Sequence, residues 1–219
     1  GDLQQAWQLS EITKTVEINT SFVEHAYIEP EAGMARMVSG RLQVYGCTQA
    51  PYMDRASLAG ILALNEADIQ IIPSAVGGGF GSKLDLSFQP YVALATLMLQ
   101  QPVRMTYSRA ESMSSTTKRH PAHIQLKAGV DAQGLLTGME FTGTFNTGAY
   151  ASWGPTVANR VPVHASGPYN WPSYRAICQG VHTHSVPAGA FRGFGVPQAV
   201  ARPGLPIHRL HRLCGPLQL

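Results

Sequence analysis

The sequence predicts an α+β fold: mixed sheets with packed helices, interrupted by long glycine-rich loops. Three observations carry that expectation. Segments of period-two alternation are interspersed with helical stretches at 51–65 and 87–100. Two strands, 122–130 and 135–147, face each other across the turn DAQG as a hairpin. Glycine clusters at 77–81 and 189–195 break the regular pattern, where the backbone turns sharply or comes very close to something.

In chain order, residues 11–28 alternate as a strand that runs into the turn PEAG, and 34–46 form two short strands around Ser39-Gly40. The helix over 51–65 takes Asp54 as its N-cap and turns Leu58, Ile61, Leu62 and Leu64 to one side. A strand at 68–75 feeds straight into the loop AVGGGFGSK, residues 75–83. The stretch 87–100 is apolar nearly all round, which predicts a buried helix with Pro90 in its first turn. Pro102 marks the start of a strand at 103–109. From 148 to 198 the chain is rich in Gly, Pro, Asn and aromatics and is expected to hold only short strands; so long a loop zone inside a compact domain is usually functional. One domain is expected over 1–199. From Val200 the composition turns abruptly to Arg, Pro, Leu and His with neither period, so 200–219 is expected to be irregular, a truncated or out-of-frame tail.

The 219 residues suffice for a real core. Sixteen Lys+Arg against 13 Asp+Glu leave a net charge of +3, and the basic residues are scattered, which argues against a nucleic-acid or membrane patch. No apolar run approaches the ~20 residues of a membrane span, no secretory signal is recognised, and a cytoplasmic location is expected. Charged residues make up only 13%, against the ~25% usual for soluble domains, so partner subunits or further polypeptide are expected to cover much of the surface. Gly1 stands where an initiator Met is expected, which suggests a cut. Cys47, Cys178 and Cys214 are isolated; with no CxxC pair the expectation is free thiols and no zinc or iron–sulfur site made by this chain alone.

A strand, a glycine loop and a helix are the layout of a phosphate cradle. Here Leu84 after Lys83 breaks the P-loop pattern, and Ser82 takes the place of the third glycine of a dinucleotide motif. By itself the loop is either a cofactor or anion approach site or a tight turn, and Lys83 is expected to be a solvated surface residue. The second cluster, GAFRGFG at 189–195, combines backbone access, two flat apolar faces and one charge; the pair is expected to form two walls of one site. His182 and His184 share a strand face by period-two spacing, and RHPAH at 119–123 places two more histidines close together; a metal pair is conceivable at either but disfavoured, since most such pairs lack further ligands. With no Gly-x-Ser-x-Gly elbow, hydrolase chemistry is unsupported.

Together GGGFGSK and AFRGFGVPQ resemble the molybdenum hydroxylases, the xanthine dehydrogenase/aldehyde oxidase family, in their first molybdopterin-binding domain. EHAYIEPEAG at 24–33, CTQAP at 47–51 and ANRV at 158–161 agree, so the resemblance runs from about residue 15 to 199. It implies a molybdenum–molybdopterin cofactor, the cytosine dinucleotide form among its options, whose metal is held by the pterin dithiolene and by no side chain of this chain. Gln49 matches the glutamine that hydrogen-bonds a molybdenum oxo group; Gly79, Phe80 and Gly81 match the loop beside the metal; Arg192 matches an arginine at the cofactor. Phe194 matches an aromatic against the substrate ring, and Arg160 an arginine that stabilises negative charge on a heterocycle. The implied catalytic set is Gln49, Arg160 and Arg192. Where purine-oxidising members carry a glutamate after the loop lysine, Leu84 stands in this substrate-binding set with Arg160 and Phe194; leucine cannot read ring N–H groups, which weakens a xanthine assignment and leaves a purine-like or other N-heteroaromatic, or an aldehyde, as the implied substrate. The implied reaction is hydroxylation with water as oxygen source. Its glutamate base lies in the later molybdopterin domain, so this chain alone is expected to be inactive, with Glu24, Glu29 and Glu31 acting as capping or solvated acids. Iron–sulfur clusters and FAD are expected on other domains or subunits, which with the remaining cofactor domain are the implied partners. The alternative is a non-enzymatic nucleotide- or anion-binding module or a structural subunit.

Overall fold

The computed structural model describes residues 1–200; the expected irregular tail, with Cys214, lies outside the described residues beyond Val200. In chain order the elements are α1 (Leu3–Leu9), β1 (Ile12–Asn19), β2 (Ala32–Val38), β3 (Arg41–Gly46), α2 (Pro51–Leu62), β4 (Ile69–Pro73), α3 (Gln89–Leu99), β5 (Val103–Thr106), α4 (Arg109–Ser115), β6 (Ala122–Val130), β7 (Leu136–Gly148), α5 (Gly154–Ala165), β8 (Ser173–His182) and α6 (Val196–Val200). The short helices start where side chains satisfy free backbone donors: Asp2 accepts from the amides of Gln4 and Gln5, and Ser108 and Glu111 close a capping box on α4. The chain divides into two compact units. One holds 1–23, 120–188 and the stretch from 193; the other holds 24–119 and 189–192.

The first unit is built on a sheet of order β1-β6-β7-β8. The hairpin of β6 and β7 forms as the sequence predicts, with Ala122 opposite Phe145 and Leu126 opposite Phe141. Ile124, Leu126, Met139, Phe141 and Phe145 fill the core together with Val161 and Ala165 of α5. Here the sequence reading needs correction, because the zone from 148 holds a twelve-residue helix and a ten-residue strand. Two prolines disguised the helix. Pro155 sits in the first turn, where its missing N–H leaves no bond unmade, and Pro162 is tolerated further along while Val157, Ala158, Val161 and Ala165 form a buried stripe. Strand β8 lies parallel to β7 at the sheet edge and turns Tyr174, Ala176 and Cys178 toward the core. Burial pushes the Cys178 thiol up to about 11, which makes it an inert packing residue.

The second unit is built on a sheet of order β4-β3-β2-β5, in which β3–β4 is parallel and the other pairs are antiparallel. Both sheets are thus mixed, as expected. Helix α3 packs on β2, where the Thr96 hydroxyl donates to the Ala35 carbonyl (3.1 Å) and Val92 and Ala93 are buried. Contrary to the all-round burial expected of it, α3 leaves Tyr91, Leu94 and Met98 exposed. Asp54 does not cap α2, which begins at Pro51; its carboxylate is buried in the first turn, accepts from the Gln89 amide (3.4 Å) and is pushed up by that burial. The strand expected over 11–28 ends at Asn19. Residues 24–31 follow no strand and instead carry polar side chains into the interior of the second unit. Among the described residues no helix is long and apolar enough to cross a membrane.

One packing constraint is tight. Gly33 and Gly46 are cross-strand partners, and a Cβ on either would lie 2.1 or 2.2 Å from the ring of Phe88, which is itself buried. Gly46→Ala therefore costs about 1–3 kcal/mol by overpacking, and Phe88→Ala about 3–5 kcal/mol by opening a cavity. Urea midpoints of the two variants check both figures; a neutral Gly46→Ala contradicts the packing described.

Candidate functional site

The glycine loop joins β4 to a single tight helical turn at Ser82–Leu84. Its four glycines do not surround empty space. A Cβ at Gly79 would lie 2.5 Å from Gln49 Oε1, and one at Gly81 would lie 2.7 Å from the Ala190 carbonyl oxygen. The glycines let two other chain segments touch the loop backbone. The Gly81 N–H donates to Gln49 Oε1 (3.0 Å), and the Gln49 N–H donates to the Lys83 carbonyl (2.9 Å). Phe80, at φ 53°, holds its ring 46% exposed at the loop tip. A phenylalanine in the left-handed region is strained, and such strain collects at functional sites.

The first half of the second cluster joins this loop. The Arg192 N–H donates to the Phe80 carbonyl (2.8 Å), and the Gly189 N–H donates to the Lys118 carbonyl (2.9 Å). The ring of His25 stacks on Phe191 at 3.9 Å, the Arg119 guanidinium carbon lies 3.8 Å from the same ring centre, and Arg119 also donates to the Arg192 carbonyl (2.9 Å). His25 Nε2 lies 2.8 Å from the Ala190 carbonyl, which can only accept, so this nitrogen carries the proton. Gln49, Gly79, Phe80, Gly81, Leu84 and Arg192 thus lie on one construction in the second unit. Arg160 and Phe194 belong to the first unit, where the Arg160 guanidinium lies 6.0 Å from the Phe194 ring centre and Trp153 meets that ring edge-on at 5.8 Å. Arg160 is an exposed residue of α5 and Phe194 has φ 47°.

Lys83 is not the solvated residue the sequence suggests. Its side chain is 3% exposed; its ammonium lies 2.7 Å from Glu29 Oε2, donates to the Glu29 carbonyl (3.0 Å) and sits 4.7 Å above the Tyr27 ring. The three acids read as capping or solvated are likewise engaged inside the second unit. Glu24 pairs with Lys118 (2.6 Å), Glu29 with Lys83, and Glu31 accepts from the Tyr27 hydroxyl. Burial alone would raise the Glu29 carboxyl, but Lys83 and the Gly77 N–H outweigh it and hold the group below its ordinary range. Glu29, Lys83, His25 and Arg119 are the residues of this site that sequence reasoning missed. The available signal was a lysine inside an otherwise apolar loop, which needs an acid if it is buried. Strand β8 ends at His182, whose Nδ1 lies 3.2 Å from the Gly148 carbonyl, so His184 shares no strand face with it. No group of three or more His, Cys, Asp or Glu among the described residues is arranged to hold a metal. What the loop construction offers chemically is neutral amide donors and a cation at an exposed aromatic tip.

Residues 1–202 match the family model described as a molybdopterin cofactor-binding domain. The chain is 42% identical over 200 residues to the nicotinate dehydrogenase large molybdopterin subunit of Eubacterium barkeri, covering 91% of this chain and 47% of that one. It is 38% identical over 224 residues to a probable xanthine dehydrogenase subunit of Bacillus subtilis, covering 100% and 30%. Among solved structures, the aldehyde oxidoreductase of Desulfovibrio gigas has the same fold, with a TM-score of 0.91 at 23% identity over 99% of this chain and 24% of that one. The quinoline 2-oxidoreductase of Pseudomonas putida 86 matches with a TM-score of 0.91 at 25% identity, over 99% and 28%. This chain spans less than half the length of each of these proteins.

Burial holds the His25 imidazole below its ordinary 6.5; its bond to Ala190 and nearby Glu24 pull upward, while Lys118 and Arg119 push further down. The unfolded chain therefore takes up this proton at higher pH than the folded one. Stability is full above 6.5 and falls as pH drops from there toward the folded-state value. The buried Nδ1, which has no acceptor, would then carry an unsatisfied N–H. Melting temperatures measured from about pH 7.5 down to about 5.5 should fall more steeply for the native chain than for His25→Gln; equal slopes contradict a buried neutral His25.

Proposed function

The chain belongs to the molybdopterin cofactor-binding domain family, and on that premise we propose that it forms the first half of the molybdenum-cofactor module of a cytoplasmic hydroxylase acting on an N-heteroaromatic substrate. The observation that carries this reading is the bond from the Gly81 N–H to Gln49 Oε1. It fixes which end of the amide is oxygen, so the exposed Gln49 side chain presents its NH2 group as a neutral donor beside the glycine loop. Such a donor fits an oxo group on a pterin-held metal and brings no charge to it.

Gln49, the backbone at Gly79, Phe80 and Gly81, and Arg192 are the residues that would hold the cofactor, in its cytosine dinucleotide form. When bound, molybdenum supplies the two-electron redox centre through which an oxygen from water is added to an electrophilic carbon. Phe194 offers its flat face to the substrate ring. Arg160 places a fixed positive charge where negative charge builds on a heterocycle, a contribution of about 3 kcal/mol in a dry site. The relative named for nicotinate and the neighbour named for quinoline both take N-heteroaromatic compounds by name, which supports this substrate class. Leu84 removes the ring-reading carboxylate of a purine site, and an aldehyde remains the second reading through the aldehyde oxidoreductase fold. We assign the general base to the remaining cofactor domain, a reading supported by the commitment of Glu24, Glu29 and Glu31 to partners. We place iron–sulfur clusters and FAD on partner domains or subunits; the free single thiols Cys47 and Cys178 are in keeping with that for the clusters.

The test uses the holoprotein from its own host. Gln49→Ala and Arg192→Ala should each lose molybdenum and the fluorescent pterin released by acid and iodine, and turnover should fall about 10²-fold or more. Unchanged metal, pterin and turnover in both variants overturns the site. Arg160→Ala should lower kcat by about 10²-fold on an N-heteroaromatic and leave an aldehyde nearly unaffected; equal losses on both overturn the substrate class.

A further inference from the structure

The glycine loop is closed by one carboxylate at both of its ends. Glu29 Oε2 accepts from the Gly77 N–H (2.7 Å) and from the Lys83 ammonium (2.7 Å). The Glu29 N–H also donates back to the Gly77 carbonyl (3.2 Å), so residues 29 and 77 are tied twice. Gly77 makes this approach possible, because a Cβ there would lie 2.6 Å from the Glu29 Cβ. Between the two tied ends the backbone takes positive φ at Gly78, Phe80 and Gly81, conformations that a free loop has no reason to keep together. Gln49 is held from inside this closed segment: its side-chain Oε1 accepts from the Gly81 N–H, and its backbone N–H donates to the Lys83 carbonyl.

We propose that Glu29 and Lys83 are positioning residues: their pair latches the glycine loop in the one conformation that orients the Gln49 amide. The link to the cofactor rests on the reading of Gln49 given above, whereas the latch itself does not. Neither side chain need touch the cofactor. The carboxylate restrains the start of the loop through Gly77 and its end through Lys83, and the ammonium, 3% exposed, would be left as an unpaired buried charge if the carboxylate let go. Ser82, also buried, lies with its Oγ 3.4 Å from the Tyr27 hydroxyl, so the latched end is seated against the same segment that carries Glu29.

Hydrogen exchange of the loop amides in the holoprotein reads the latch directly, and molybdenum and pterin content reads its consequence. Glu29→Gln and Lys83→Met should each speed exchange across 77–83 by about tenfold or more, the scale of losing a hydrogen bond to a charged group, and lower cofactor content. The double variant Glu29→Gln/Lys83→Met removes the buried-charge problem, so it should melt near the native temperature while its loop still exchanges fast and its cofactor content stays low. If the double variant recovers slow exchange, the pair only balances charge and the proposal is wrong. Native exchange in both single variants is equally fatal to it. Gln49→Ala separates the two layers: it should lose cofactor with the Gly77 amide still protected. Full cofactor in Gln49→Ala overturns the reading of Gln49, whatever the latch variants do.

Discussion

A buried ammonium dictates the architecture of the second unit. Lys83 stands at the end of a loop whose tip, Phe80, is exposed, yet its own side chain is almost wholly shielded from water. Placing a charge there is costly unless an opposite charge and further acceptors meet it. The segment from Glu24 to Glu31 meets that requirement. It gives up regular secondary structure, passes beside the loop, and delivers a carboxylate, a carbonyl oxygen and an aromatic face to one ammonium group. Its departure from strand pairing after Asn19 is what frees it to do so.

The same logic extends to the second cluster. The run Gly189–Arg192 is fixed by main-chain bonds to Lys118 and Phe80 and by side chains packed against Phe191. An exposed arginine, Arg192, and an exposed phenylalanine, Phe80, are thereby carried on backbones bonded to one another. Of the few charges in the chain, Glu24, Glu29, Lys83 and Lys118 are engaged in internal pairs, and the outer side of α3 is apolar.

Local signals were read well where the residues concerned are neighbours in sequence. The hairpin around DAQG, the turn at Ser39-Gly40 and the first-turn proline of α3 each need only a few residues to declare themselves. Helix α5 and strand β8 were missed because Pro155, Pro162 and nearby glycines imitate loop composition, whereas the burial of Ala158, Val161 and Ala165 that stabilises the helix comes from the sheet beneath. Gln49, the glycine loop and Arg192 were legible through their motifs. Glu29 and Arg119 were not, since nothing in the chain near Glu29 announces a lysine 54 positions away.

By itself the sequence determined the residue types at the loop, the hairpin across DAQG and the lack of any CxxC pair, because these depend on short-range sterics and composition. Only the tertiary structure decided which groups are charged, neutral or shielded. Ionisation and hydrogen bonding depend on distance and on access to water, and both are set by segments that meet only after folding: Glu29 at Lys83, His25 at Ala190, and Gln49 at Gly81.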